Sequence, residues 1–339
     1  MPLDIENFGD LRDYLIGQRH LRSDEQVSFE KLTGGISNRT VKVTWPDGHA
    51  WILKQALPKL RVSVDWFSDP DRIKVEAKAL RWMNRCSPGT APGFVFEDAP
   101  KYLMAMEAIP YEHENWKSAL LAGNVLTTHF KQFGRLLGTI HRKSSESVKD
   151  REEFSDTTYF ENLRLDPYYL YTAEQVPEAN EFLHALVDET RQRKDCLVHG
   201  DFSPKNVLLY RSKLILLDYE VFHCGEPAFD IGFAMAHFLS KMHHLPQHRA
   251  QIASATRAFT DVYRREVASL AWVDTLEPRL VRHALACSLA RVAGKSLMEY
   301  MSAAENARQR AVVLQLMQDP PASIAQLISQ FIEKIEAHA

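Results

Sequence analysis

CLVHGDFSPKNVLLYRSKLILLDYE, residues 196–220, is the stretch whose reading decides the fold. The runs NVLLY (206–210) and LILLDY (214–219) have the composition of buried strands. Polar, metal-competent groups surround them: His199 and Asp201 before the first run, Asn206 at its start, Asp218 and Glu220 at the end of the second. Acidic residues at the rim of buried strands are costly unless something cationic meets them. The spacing predicts a hairpin that gathers Asp201, Asn206, Asp218 and Glu220 at one end.

Upstream, the pattern changes twice. Residues 7–19 read as a short amphipathic helix with Phe8, Leu11, Leu15 and Ile16 on one face. VSFEKL (27–32), TVKVTW (40–45) and AWILKQAL (50–57) are strand-like, the last two joined through Asp47-Gly48, a good hairpin turn. DPDRIKVEAKALRWMN (69–84) is helical, with Ile73, Ala77, Leu80 and Met83 in step. Two more strands, 94–97 and 102–107, flank the turn DAPK. After Pro110 the chain is mainly helical, with helices at 126–142 and 180–194 and several more from Asp230 onward. The polar stretch SSESVKDREEFSD (144–156) reads as an exposed connection. The fold class is therefore α+β: residues 1–107 form a small antiparallel β-rich part, and residues 108–339 a larger, mostly helical one.

Composition narrows the function. With 41 Lys plus Arg against 44 Asp plus Glu, there is no basic excess to attract nucleic acid. Cys86, Cys196, Cys224 and Cys287 form no C-x-x-C pair and read as reduced core thiols. The start MPLDIENFGDLRDYL lacks an apolar signal region, and no apolar run reaches the ~20 residues of a membrane span. The expectation is a cytoplasmic protein with small-molecule partners, binding neither nucleic acid nor membrane.

The motif HGDFSPKN (199–206) fits H-x-D-(apolar)-x-x-x-N, and Asp218 follows Asn206 by a hairpin's length. In kinase catalytic loops such an Asp orients the attacking hydroxyl and accepts its proton. The Asn and a second Asp hold Mg²⁺. A charge-dispersed transition state gains most from groups fixed in advance. Asp201 is the candidate base, and Asn206, Asp218 and Glu220 are candidate metal ligands. Lys205 is either a phosphate contact or a solvated lysine. Upstream, Lys54 lies inside a strand and needs an anionic partner; Glu76 on the next helix suits, and the pair would aim Lys54 at the α- and β-phosphates of ATP. TGGISN (33–38) would bring backbone N–H groups of Gly34, Gly35, Ser37 and Asn38 toward phosphates. Met106, Glu107 and Ala108 would offer backbone groups to an adenine edge.

On these residues the chain resembles the aminoglycoside phosphotransferase superfamily of small-molecule kinases. LVHGDFSPKNVLL is similar to its H-G-D-x-x-x-x-N loop, and LLDYEVFHCGEPAFDIGF to its metal segment. In the first ~110 residues, LTGGISN, ILKQALPKLR and DWFSDPDRIKVEAKAL are most similar to methylthioribose kinase. The resemblance implies a bilobal protein-kinase-like fold and ATP- and Mg²⁺-dependent transfer to a hydroxyl. The acceptor would be a sugar-like or amino-alcohol metabolite, or an antibiotic. It implies a bracing role for Asp230, and it makes Arg291 in LARVAGKSLMEYM a candidate substrate contact; Glu112 and Glu114 could face a polycationic sugar. Two other readings compete. A non-catalytic nucleotide-binding protein of the same fold would lack the full set of base, ligands and lysine. A protein kinase would carry an A-P-E segment, which is missing here.

Overall fold

The computed structural model describes residues 3–33, 35–61 and 65–338. The chain divides into two compact units, Met1–Glu112 and His113–Ala339.

The first unit is built on a five-stranded antiparallel sheet in the order β1-β2-β3-β5-β4. Its strands are β1 (Ser28–Lys31), β2 (Asn38–Thr44), β3 (Ala50–Ala56), β4 (Phe94–Asp98) and β5 (Leu103–Glu107). The β2–β3 turn falls at Asp47-Gly48, where Gly48 takes φ 88° and its N–H donates to the Trp45 carbonyl. Helix α1 (Phe8–Gly17) starts at Asn7, whose side chain accepts from the Gly9 and Asp10 N–H groups. It buries Leu11 and Leu15 against Val41, Val43, Leu53, Leu103 and Ala105. Period-2 alternation turns Lys54, next to Leu53, toward the other face of β3. Helix α2 (Arg72–Cys86) supplies Glu76 and packs on β3, burying Ile73, Ala77, Leu80 and Met83.

The second unit begins with β6 (Glu114–Asn115), α3 (Trp116–Leu121), α4 (Thr127–Ser145) and α5 (Val148–Glu153). A continuous helical run follows: α6 (Thr158–Phe160), a π-helical segment Glu161–Leu170 containing Pro167, and α7 (Tyr171–Gln175). Then come α8 (Asn180–Gln192), β7 (Cys196–Val198), β8 (Val207–Tyr210), β9 (Lys213–Leu216) and β10 (His223–Gly225). The chain ends in α9 (Pro227–His244), α10 (Arg249–Val267), α11 (Leu276–Ala293), α12 (Ala303–Gln318) and α13 (Ile324–Ala337). Helix α4 packs along α10, and α9 along α11. All four cysteines are buried. Among the described residues, no helix is long and apolar enough to cross a membrane.

Two local expectations are corrected. The polar stretch 144–156 is not merely an exposed connection. It contains α5 and buries Phe154, whose carbonyl accepts the Cys224 N–H at 2.7 Å; a six-residue helix is too short for periodicity to register. The second strand of the hairpin ends at Leu216 rather than Tyr219, because Asp218 takes a left-handed φ of 71° that no ladder accommodates.

Candidate active site

Residues 196–225 form two nested antiparallel pairs, β8 with β9 inside and β7 with β10 outside. Val207 pairs with Leu216, and the Leu217 N–H donates to the Asn206 carbonyl at 2.9 Å. This register places Asn206 and Asp218 at the same end of the hairpin. The loop between β7 and β8 carries Asp201. Its conformation is fixed from beneath by Asp230 at the start of α9, whose carboxylate accepts the N–H groups of His199 (2.7 Å) and Gly200 (2.8 Å). His141 of α4 stands 3.3 Å from the same carboxylate and 2.8 Å from the Tyr263 hydroxyl, all of them buried.

Gly200 is required where it stands. Its φ is 77°, and a Cβ would lie 2.7 Å from Val221 Cγ2. His199 serves the loop as a neutral ring: Nδ1 accepts the Asp201 N–H at 3.1 Å, so Nε2 carries the proton and donates to the Leu217 carbonyl at 3.1 Å. Burial holds its pKa below the ordinary histidine value, which suits that assignment.

The Asp201 carboxylate is 3% exposed and is gripped on Oδ2 by two cations, Arg164 at 2.9 Å and Lys205 at 3.0 Å. Its other oxygen, Oδ1, is buried with no hydrogen-bond partner among the described residues. Burial alone would raise its pKa, but the Lys205 ammonium and the Arg164 guanidinium outweigh that and hold it far below the usual carboxylate range. Asp201 is therefore ionised at every physiological pH. Arg164 also donates to the Gly200 carbonyl at 2.5 Å and the Leu163 carbonyl at 2.7 Å, so its fork ties the π-helical segment to the loop.

Asn206 is buried, and its side-chain nitrogen donates to the Asp201 carbonyl at 3.0 Å, which turns the amide oxygen away as an acceptor. Asp218 is half-buried and Glu220 buried. Among the described residues, no three His, Cys, Asp or Glu side chains converge as a ready-made metal cluster. Asn206, Asp218 and Glu220 would offer an amide oxygen and two carboxylates, hard oxygen ligands of the kind Mg²⁺ takes when phosphates and water complete its shell. The chemistry of this set fits the ion. A separate cavity of about 240 Å³, bounded in part by Phe160, Glu161, Arg191 and His223, is lined by none of these residues.

In the first unit, Lys54 Nζ lies 2.5 Å from Glu76 Oε1, with side chains 12% and 1% exposed. Of the loop before β2, Gly34 lies outside the described residues, and Gly35 has open space around the position of a Cβ. Ser37 and Asn38 are buried, with the Asn38 amide donating to Ser37 Oγ at 3.2 Å. Arg72 donates to the Ser37 carbonyl, and to the Leu57 carbonyl at 2.9 Å, pinning that loop from α2. Met106 is buried in β5, and the N–H groups of Glu107 and Ala108 are bonded to the Gly93 and Ala50 carbonyls. Arg291 on α11 is buried and donates to the Tyr168 hydroxyl at 3.0 Å and to Ser296 Oγ at 2.6 Å.

Sequence reasoning missed Arg164 and Arg72. Each is a buried arginine that reaches a distant stretch of chain, Arg164 the Gly200 carbonyl and Arg72 the Ser37 carbonyl, and local pattern does not encode such contacts. Lys205 was weighed as a phosphate contact or a solvated lysine; it is paired with Asp201.

No curated protein matches the chain in sequence. Among solved structures it is similar to an amicoumacin kinase, hAmiN, in complex with AMP-PNP, Ca²⁺ and Ami, at 16% identity over 92% of this chain and 95% of that one, with a TM-score of 0.59. It is similar also to a choline/ethanolamine kinase family protein from Mesorhizobium loti, at 14% identity over 97% and 99% of the two chains, TM-score 0.56. A putative fructosamine-3-kinase from Thermobifida fusca matches at 18% identity over 87% and 93%, TM-score 0.51. At these identities the likeness is one of fold, and the fold is that of small-molecule kinases. The family model described as Phosphotransferase enzyme family matches residues 28–265, and the chain belongs to that family.

Proposed function

We propose that this phosphotransferase moves the γ-phosphoryl group of ATP to a hydroxyl of a small acceptor, with Asp201 as the base. Residues 1–107 supply the nucleotide-handling groups, and residues 108–339 the catalytic and acceptor-binding ones. The observation that carries the reading is the asymmetry of the Asp201 carboxylate: Oδ2 takes two cations, while Oδ1 is buried without a partner. A buried, charged oxygen left in that state is costly unless a ligand donor meets it. An acceptor hydroxyl is such a donor.

The chemistry follows from the two oxygens. With its proton affinity depressed by Arg164 and Lys205, Asp201 does not deprotonate the hydroxyl in the ground state. It orients the hydroxyl oxygen toward phosphorus and takes the proton late, as the oxygen–phosphorus bond forms. Lys205, 38% exposed, faces both the base and the solvent side, where charge develops on the transferring group. Lys54, held by Glu76, positions the α- and β-phosphates. The backbone at Gly35, Ser37 and Asn38 would approach those phosphates, and Met106, Glu107 and Ala108 the adenine end. Asn206, Asp218 and Glu220 would hold Mg²⁺, which when bound neutralises phosphate charge.

The test is transfer of label from radiolabelled ATP to a panel of hydroxyl compounds, with Asp201→Asn as the background. Mg²⁺-dependent labelling that collapses in the variant is the expected result. ATP turnover indifferent to Asp201→Asn would leave a nucleotide-binding protein without this chemistry.

A further inference from the structure

One face of α9 carries an unusual polar stripe. His237 and Lys241 stand one turn apart with Ser240 beside them, and Phe233 precedes His237 by one turn. Lys241 is fully buried; among the described residues its ammonium donates only to the His237 carbonyl, at 3.5 Å, and lies 5.1 Å from the Tyr300 ring centroid. Both ring nitrogens of His237, Ser240 Oγ and the Tyr300 hydroxyl are buried without hydrogen-bond partners among the described residues.

Helix α11, which packs on α9, brings Arg291 to the same region. Arg291 is 4% exposed, yet its guanidinium partners are a phenol, a serine hydroxyl and the Met298 sulfur. No carboxylate among the described residues pairs with Arg291 or Lys241. Glu299, which acts electrostatically on both, is ion-paired with Lys117. The region adjoins the base: the Tyr168 ring lies 5.9 Å from the guanidinium carbons of both Arg164 and Arg291. Phe233 bridges the same way, with Arg164 5.9 Å and His237 5.4 Å from its ring.

Two buried cations, Arg291 and Lys241, thus stand near the catalytic loop with no ion pair to a carboxylate among the described residues. Burial and the charges of Lys117 and Arg291 push Lys241 down to about 7. Burial, then Arg291, Lys241 and Lys205, hold His237 well below the ordinary histidine value. Burial would raise the Tyr168 phenol, but Arg291, Arg164 and Lys205 lower it. Lys241 can shed its proton; Arg291 cannot. A buried arginine without an anion is a site waiting for one.

We propose that Arg291 and Lys241 form the anion-binding half of the acceptor site, and that the acceptor is a hydroxyl compound bearing a compact oxyanion, carboxylate or phosphate. The assignment rests on Asp201 being the phosphotransferase base. It predicts selection against polycationic acceptors, since an amine placed here would face Arg291 while Glu299 is already paired with Lys117.

The test uses the full-length protein with Mg²⁺ and radiolabelled ATP. Acceptors come in matched sets of carboxylate, phosphate ester, neutral amide and amine; the simplest set is glycerate, glycerol phosphate, glyceramide and serinol. Labelling above the Asp201→Asn background is expected for anionic members alone, and the better of the two anions identifies the headgroup. Arg291→Gln should raise KM for that acceptor about 30-fold or more with kcat changed far less, the pattern of a lost charge-assisted contact. Because removing a buried arginine can impair folding, malonate is also titrated against the unaltered protein. It should compete with the acceptor and not with ATP, while choline at equal ionic strength has no effect. Equal or better labelling of amines or neutral members, or indifference to malonate, overturns the inference and leaves the phosphotransferase assignment standing. Absence of any Mg²⁺-dependent ATP turnover, with or without acceptors, removes the phosphotransferase assignment and the inference with it.

Discussion

Replacing Arg164 by methionine tests whether the grip on Asp201 is what fixes the base. The side chain is 7% exposed and makes three charge-assisted bonds, to the Asp201 carboxylate and to the Gly200 and Leu163 carbonyls. Removing one partner of a buried pair costs about 3–5 kcal/mol. Here the low end applies, because Lys205 remains 3.0 Å from the same oxygen. At about 2–4 °C per kcal/mol for a unit of this size, the melting temperature should fall roughly 6–12 °C. A base freed to move by an ångström should lose about 10²-fold in kcat. The pH dependence carries the sign. In the folded chain Asp201 is held below its unfolded value of ~3.9, so its contribution to stability is complete above that pH and is lost as pH falls below it. With Arg164 gone the folded value rises toward the unfolded one, and stability should decline less steeply between about pH 5 and 2 than in the parent. Urea melts across that range, with steady-state transfer at neutral pH, are the assay. A variant that melts like the parent, with the same acid slope and the same kcat, would refute the clamp.

Three further outcomes follow from the same geometry. Lys54→Met should raise KM for ATP and lower kcat together, and should cost stability as well, since it strips a cation from a carboxylate 1% exposed; unchanged ATP kinetics would detach Lys54 from the phosphates. Mg²⁺ with a non-hydrolysable ATP analogue should raise the melting temperature more than the analogue alone, and the difference should vanish in Asp218→Asn; equal shifts would count against these ligands. Gly200→Ala should lose about 2–4 kcal/mol, from a left-handed φ and a 2.7 Å contact with Val221 Cγ2, and part of that should return in a Val221→Ala background as read by chemical denaturation.

What could be read in advance is what short-range pattern encodes. The hairpin of 206–217 is two short apolar runs bounded by polar residues, and its register brings Asn206 and Asp218 to the same end. Lys54 stood out because a charge inside an apolar strand is anomalous, and the anomaly resolved into the pair with Glu76. The family was legible for the same reason, since His199 to Glu220 is one local motif. Arg164 was not, because it lies in ENLRLDPYYL, where Pro167 interrupts any helical period and the chain answers with a π-helical turn. Nor could sequence show that Arg291 lacks an acidic partner, since that depends on which carboxylates α9, α11 and the loop after it bring near. The methylthioribose likeness rested on residues 32–80, which handle nucleotide in the proposed mechanism. In the proposed acceptor site of α9, α11 and Tyr300, Arg291 was the one residue the resemblance singled out.

The central claim is that Asp201 acts on the transferring proton and not on nucleotide binding. Asp201→Asn keeps shape and removes charge. Steady-state transfer to the acceptor, paired with direct titration of the nucleotide, separates the two roles. The account predicts a kcat loss of about 10²–10⁴-fold, or ~3–5 kcal/mol of barrier, with nucleotide affinity changed by less than about tenfold. Transfer at close to the parent rate would contradict it, and HGDFSPKN would then be a capped turn whose acid has another task.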